Sequence, residues 1–357
     1  MEKKNIALIA GIALVLVICV AGYSVYASGT QSAPVQKTKT ITDMMGRTVE
    51  IPSPVQKVVT IGSVPVQNTF IFALGKNSTI VNGLPDSFIK QGRWKYQYVF
   101  APNLKGQPGM QSSTYEPNVE EIMKAAPDLV FTMDQATVST LDKSGINVVY
   151  LSWIDAEDVK KLMTLMGEIY DRQGLAKEYI TFFDSTTTRV GDRVSGIPDN
   201  DRPKVLYFAY TTMTVPHKIG DWWITKAGGK SVTDAPRMTD SLKIEPEQIL
   251  TWNPDILIVA NTGEIAAVYN DTRLSTVNAI RNKRVYITPM GAHIWSHRGI
   301  ETPLTVLWAA KLFYPDKFTD LDLEQETTVF YQKFFGYTLA PEQVKEILSG
   351  KAKIQEK

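Results

Sequence analysis

The segment Met290-Gly-Ala-His-Ile-Trp-Ser-His-Arg298 gathers two of the chain's three histidines, an indole and a guanidinium into one short stretch. Imidazole can ligate a transition metal or carry a proton near neutral pH, and a guanidinium pairs with carboxylate or phosphate through two parallel hydrogen bonds. His293 and His297 are four apart, which on a helix would put both rings on one face and let them hold a metal directly. No carboxylate stands beside them to complete a ligand set, so a ligand that brings its own metal cage suits the segment better. His297 or Tyr210 could then fill an open coordination position, and Arg298 could pair with an anionic group of the chelate. His293 could equally be a hydrogen-bonded loop histidine. His217, in a polar stretch after Pro216, receives no role.

A large planar or macrocyclic ligand needs aromatic cleft walls, and Trp94, Trp222 and Trp295 are the candidates, with core packing as the competing reading. Enzyme chemistry finds less support. The chain carries no Gly-x-Ser-x-Gly elbow, phosphate loop or paired His-Glu zinc motif, and Ala227-Gly-Gly-Lys230 lacks the spacing that cradles phosphate. Gly228 and Gly229 fit a helix end instead. The expectation is a binding protein and not an enzyme. Its rivals are a surface metal chelatase or hydrolase on the same lobes, whose general base would have to come from the histidine segment, and a binder of a bare transition metal.

Positioning these groups falls to a phrase the chain contains twice: Val119-Glu-Glu-Ile-Met-Lys-Ala-Ala-Pro-Asp-Leu-Val-Phe131 and Pro246-Glu-Gln-Ile-Leu-Thr-Trp-Asn-Pro-Asp-Ile-Leu-Ile258. Each reads as a short capped helix, a Pro-Asp turn and a strand buried on both faces. Two units built alike imply two α/β lobes, and two lobes imply a cleft. Elsewhere the pattern predicts a hairpin over residues 40–51, strands at 57–61, 79–81, 147–150, 204–208 and 284–288, and helices at 66–74, 156–170, 302–313 and 323–335. Residues 86–115 read as an irregular aromatic loop. A long helix from Leu175 to Val194 joins the halves. The fold expected is therefore α/β, two Rossmann-like lobes on a single backbone helix with the ligand between them. Ligands of such lobes lie beyond the carboxyl ends of the strands, which points to Ser63, Met133 to Gln135, Tyr210, Asn261 and the histidine segment.

The domain expectation is residues 1–27 as signal peptide or membrane anchor, 28–39 as tether, 40–173 as the first lobe, 174–197 as the linking helix and 198–357 as the second lobe. Lys3 and Lys4 precede a nearly uncharged run from Asn5 to Ala27, about long enough to span a bilayer at 1.5 Å per residue. Val25-Tyr26-Ala27 is a passable cleavage site. The sole cysteine, Cys19, lies in that run, so the exported body has no thiol chemistry. A net charge of +1 gives no electrostatic case for nucleic acid. Asn77 and Asn270 begin sequons, open to glycosylation in an exported body.

Asp43-Met-Met-Gly-Arg-Thr-Val-Glu-Ile51, the two repeated phrases, Ala227-Gly-Gly229 and the stretch from Trp308 to Asp316 together resemble the substrate-binding proteins of iron-complex ABC importers, which also serve cobalamin, haem and siderophores. The resemblance implies a monomeric extracytoplasmic receptor, without an intrinsic cofactor, whose metal arrives within a small-molecule chelate. It also implies an ABC permease dimer with its ATPase as partner, docked by one acidic residue from each lobe. Glu120 and Glu247 are the matching positions. Read alone, each carboxylate sits in a first helical turn, where the helix dipole favours it by about 0.3–1 kcal/mol.

Overall fold

The computed structural model describes residues 37–351 apart from Pro236, so the apolar N-terminal run, Cys19 and most of the expected tether lie outside the described residues. Among the described residues no helix is long and apolar enough to cross a membrane. The chain from Lys39 onward forms one compact unit.

That unit opens with a hairpin, β1 (Thr38–Thr42) and β2 (Thr48–Pro52). Its turn forms because Asp43 Oδ1 accepts the Met45 and Arg47 amides while Gly46 takes φ 79°. The first lobe continues with β3 (Val58–Ile61), α1 (Val64–Ala73), α2 (Asp86–Ile89), α3 (Lys95–Phe100), α4 (Val119–Ala125), β4 (Leu129–Thr132), α5 (Gln135–Asp142), β5 (Val148–Tyr150) and α6 (Ala156–Ile169). The backbone helix is α7 (Gln173–Val194). Then follow β6 (Lys204–Phe208), β7 (Thr214–Val215), α8 (Ile219–Lys226), β8 (Lys230–Ser231), β9 (Leu242–Lys243), α9 (Pro246–Trp252), β10 (Ile256–Val259), α10 (Glu264–Asn270), α11 (Asn278–Arg281), β11 (Val285–Ile287), α12 (Thr302–Phe313), α13 (Leu323–Phe335) and α14 (Pro341–Leu348).

The sheets are parallel, in the order β3-β4-β5 in the first lobe and β11-β10-β6-β8 in the second. Every residue of β3, β4 and β10 is buried, as strands covered by helices on both faces must be. The repeated phrase builds the same device in each lobe. Asn118 Oδ1 caps α4 through the Glu121 amide at 3.3 Å, and the Glu245 amide donates to Gln248 Oε1 at 2.8 Å on α9. Both helices end in a left-handed residue, Ala126 (φ 46°) and Asn253 (φ 45°). The aspartates of the two Pro-Asp turns then pin the neighbouring strand, Asp128 Oδ2 accepting the Lys57 amide and Asp255 Oδ2 the Lys204 amide, each at 2.9 Å.

Some elements differ from the sequence expectation. Residues 79–81 form no strand, only a single bridge between Ile80 and Val58, because Asn77–Thr79 is wound into a 3-10 turn. The stretch 86–115 contains α2 and α3, and its aromatics Trp94, Tyr96 and Phe100 are buried. Ordered strand begins at Thr38, inside the expected tether. Helices α13 and α14, although they follow the second lobe in sequence, pack against the first. Phe335 meets Phe72 (6.1 Å), Tyr331 stacks on Phe100 (5.0 Å), and Tyr96 donates to the Gln343 carbonyl (3.0 Å). The pair Gly228-Gly229 does end a helix: the Gly229 amide closes α8 onto Ile224 O. Gly228 has φ 90°, and a Cβ there would come 2.9 Å from Val194 Cβ at the end of α7.

Candidate ligand cleft

The histidine segment follows β11 and is not helical. Its backbone is held from all sides: the Met290 amide donates to Ile347 O (2.9 Å), Gln97 Nε2 to Ala292 O (2.7 Å), Trp223 Nε1 to Ser296 O (3.1 Å) and Trp153 Nε1 to Arg298 O (2.6 Å). Donors from both lobes thus fix one loop between them. Gly291 is required, since a Cβ there would lie 1.7 Å from the Tyr331 hydroxyl. Beneath the loop, Glu301 is fully buried and accepts the His293 amide and the Tyr331 hydroxyl, each at 3.1 Å. Burial without a cation pushes its carboxyl up to about 7.

Against this loop lies an inner chamber of about 240 Å³, whose polar and aromatic walls include Arg93, Trp94, His217, His293, His297 and Arg298. The three imidazoles form a chain, with ring centroids 4.6 Å apart for His217 and His297 and 5.4 Å for His293 and His297. Trp94 lies 5.2 Å from His293, and the Arg93 guanidinium sits 5.0 Å over the Trp94 ring. Arg93 reaches across to Asn261, whose side-chain amide is held in turn by Glu264 at 3.0 Å. Asp240 Oδ2 accepts from Arg298 Nη1 and pairs with His217 Nδ1, both at 3.0 Å.

Burial, reinforced by the Arg93 charge, pushes His293 down to about 3. Burial and the neighbouring His217 and His293 hold His297 well below the usual imidazole range. Both rings are therefore neutral at neutral pH. His293 Nδ1 and His297 Nε2 are buried with no hydrogen-bond partner among the described residues, and such nitrogens are costly to leave unmet. Among the described residues no three metal-ligating side chains gather into a preformed site. An outer chamber of about 680 Å³ adjoins the first and shares Ser63, Tyr115 and Arg298 with it. Tyr115 stands there at φ 69°, a strained backbone for a bulky residue.

Residues 80–291 match the periplasmic binding protein family, more than half of the chain. The chain belongs to the periplasmic binding protein family. The molybdate-binding protein MolA of Haemophilus influenzae is 23% identical, with 85% of this chain and 92% of MolA covered. Among solved structures, a periplasmic solute binding protein from Veillonella parvula aligns with a TM-score of 0.77 at 26% identity, over 88% of this chain and 98% of that one. Helicobacter pylori CeuE in a nickel–histidine complex aligns at 0.71 and 19% identity, over 87% and 99%. As a member of this family, the chain is an extracytoplasmic substrate-binding protein of an ABC transporter.

In this periplasmic binding protein, Trp94, His293, His297 and Arg298 line the inner chamber, as do His217 and Arg93. Three other candidates lie elsewhere. Trp295 is 1% exposed and turns into the core, its Nε1 on the Tyr331 hydroxyl. Trp222 packs against Phe183 of α7 (5.7 Å) because α8 presents that face to the backbone helix. Tyr210 begins a 3-10 turn after β6, which carries its hydroxyl to Asp271 (2.9 Å) and away from the chambers. Glu120 and Glu247 are exposed on α4 and α9.

Two charged or titratable lining residues, His217 and Arg93, carry no signal in the sequence. His217 carries no motif of its own, and only its pairing across the fold with Asp240 brings it to the cleft. Arg93 stands in a segment without period, where no local signal gives its direction.

Proposed function

We propose that this protein captures an anionic, metal-bearing ligand of compact size and hands it to an ABC permease dimer driven by its ATPase. The observation that carries the reading is the convergence of two guanidiniums and two neutral imidazole rings on one partly open chamber. Arg93 and Arg298 each spend only part of their N–H donors on protein partners, and the remainder suit carboxylate, phosphate or oxyanion oxygens. The neutral imidazoles suit an open coordination position or a polar edge of the ligand. On this reading the metal arrives within the ligand and the protein needs no intrinsic cofactor. The role is binding and not catalysis.

An inner chamber of about 240 Å³ lies below the roughly 300–1,000 Å³ of ordinary ligand pockets. A haem or cobalamin would therefore lie mainly in the outer chamber, whereas an oxyanion or the anionic head of a small chelate fits the inner one. The molybdate of MolA and the nickel–histidine of CeuE are both compact metal species, which supports the same size class. Docking through Glu120 and Glu247, and retention at the membrane by the apolar N-terminal run, complete the proposal. Calorimetric titration with molybdate, ferric citrate and a nickel–histidine complex tests the ligand class. The reading expects at least one to bind and Arg298→Ala to weaken it; equal binding by the variant would remove this chamber from the site.

A further inference from the structure

The two docking helices carry more than a glutamate. In α4, Glu120 is followed three residues later by Met123, which is 57% exposed; in α9, Glu247 is followed three residues later by Leu250, 39% exposed. Residues so spaced on a helix are surface neighbours, about 5–6 Å apart at Cβ. Between them, Ile122 and Ile249 are wholly buried and anchor each helix in its lobe, so the outward direction of the pair is fixed. A single exposed apolar side chain is ordinary. The same carboxylate–hydrophobe pair at the same register of a duplicated helix, one per lobe, is a different observation.

Resting on the docking reading above, we propose that Met123 and Leu250 are the apolar halves of two equivalent docking patches, each a carboxylate beside a hydrophobic knob. The partner that fits is a protein with two like pockets, each a basic residue at the edge of an apolar dish, as the two subunits of a permease dimer would supply. Exposed ion pairs are weak because water and salt screen them, so the glutamates alone would steer encounter without holding the complex. Apolar contact that excludes water around the pair lengthens its lifetime. The division of labour is explicit: the carboxylates set the rate of association, and Met123 and Leu250 set the rate of dissociation.

The test uses the full chain with its permease and ATPase in liposomes, following ATPase stimulation against protein concentration and the two rates by surface binding. Met123→Ser with Leu250→Ser should raise the concentration for half-stimulation by about tenfold or more, mostly through faster dissociation, with each single variant falling between. Glu120→Lys with Glu247→Lys should chiefly slow association. Affinity for the transported ligand and the thermal transition should not change in any of them. Wild-type stimulation by the serine pair would overturn the apolar half of the proposal. Wild-type stimulation by the lysine pair as well would overturn the docking reading beneath it. Neither result bears on the ligand chamber, whose variants are read by titration without the permease.

Discussion

His217 and His297 meet edge to face at 4.6 Å between ring centroids, the first tied through Nδ1 to Asp240 and the second with a buried Nε2 that has no hydrogen-bond partner among the described residues. Asp240 also holds Arg298, so one carboxylate orients an imidazole and a guanidinium on the same wall. Burial pulls Asp240 upward, but His217 and the Arg298 charge outweigh it and keep it ionised. The wall is thus preorganised, with a cation aimed inward and its counter-charge placed behind it.

From this arrangement, truncating Arg298 or His297 to Ala should weaken binding of a compact anionic chelate by about 1–3 kcal/mol, the cost of leaving a buried polar partner unmet. Titration of both variants beside the wild type measures it. The thermal transition should stay in place.

The aromatic assignments give a contrasting pair. Trp94→Ala should weaken ligand binding because that ring walls the chamber against His293. Trp222→Ala should leave binding unchanged and cost about 1–3 kcal/mol of stability through its lost packing on Phe183. Denaturant melts and titrations of the two variants would separate the roles, and a ligand defect in the Trp222 variant would contradict the placement.

Glu301 predicts a pH dependence of stability. Burial raises its carboxyl from the ordinary 4.5 to about 7, so between those values the folded chain holds a proton that the unfolded chain has lost. Its contribution is full below pH 4.5 and fades as pH rises through 7. Glu301→Gln keeps acceptor oxygen for the His293 amide and removes the buried charge. The variant should gain melting temperature over wild type at pH 8 and little at pH 5. A gain of the same size at both values would mean that Glu301 does not titrate in this window.

The repeated phrases made two α/β lobes legible because a capped short helix and a Pro-Asp turn are local devices, fixed by Asn118, Gln248, Asp128 and Asp255 within a few residues or one strand pairing. The histidine segment was legible as a concentration of chemistry. Which aromatics face the cleft was not, since Trp94, Trp222 and Trp295 differ only in tertiary direction: one turns to His293, one to the backbone helix and one to Tyr331. Arg93 and His217 were hidden for the same reason, being carried to one chamber by separate parts of the chain.

The backbone helix, together with bonds such as Trp153 to Arg298 O (2.6 Å) and Arg93 to Asn261, ties the lobes to each other. Ligand addition should therefore change the radius of gyration only slightly, and small-angle scattering with and without ligand would detect a large hinge closure if the ties were ineffective.

The central claim is that Arg93 and Arg298 hold an anionic, metal-bearing ligand. Native mass spectrometry with elemental analysis, on protein purified from its own cells, tests it most directly. The wild type should retain a compact species carrying a metal and a negative charge, and an Arg93→Ala, Arg298→Ala variant with an unchanged thermal transition should not. A retained ligand without metal or anionic groups, or the same species held equally by the double variant, would contradict the account.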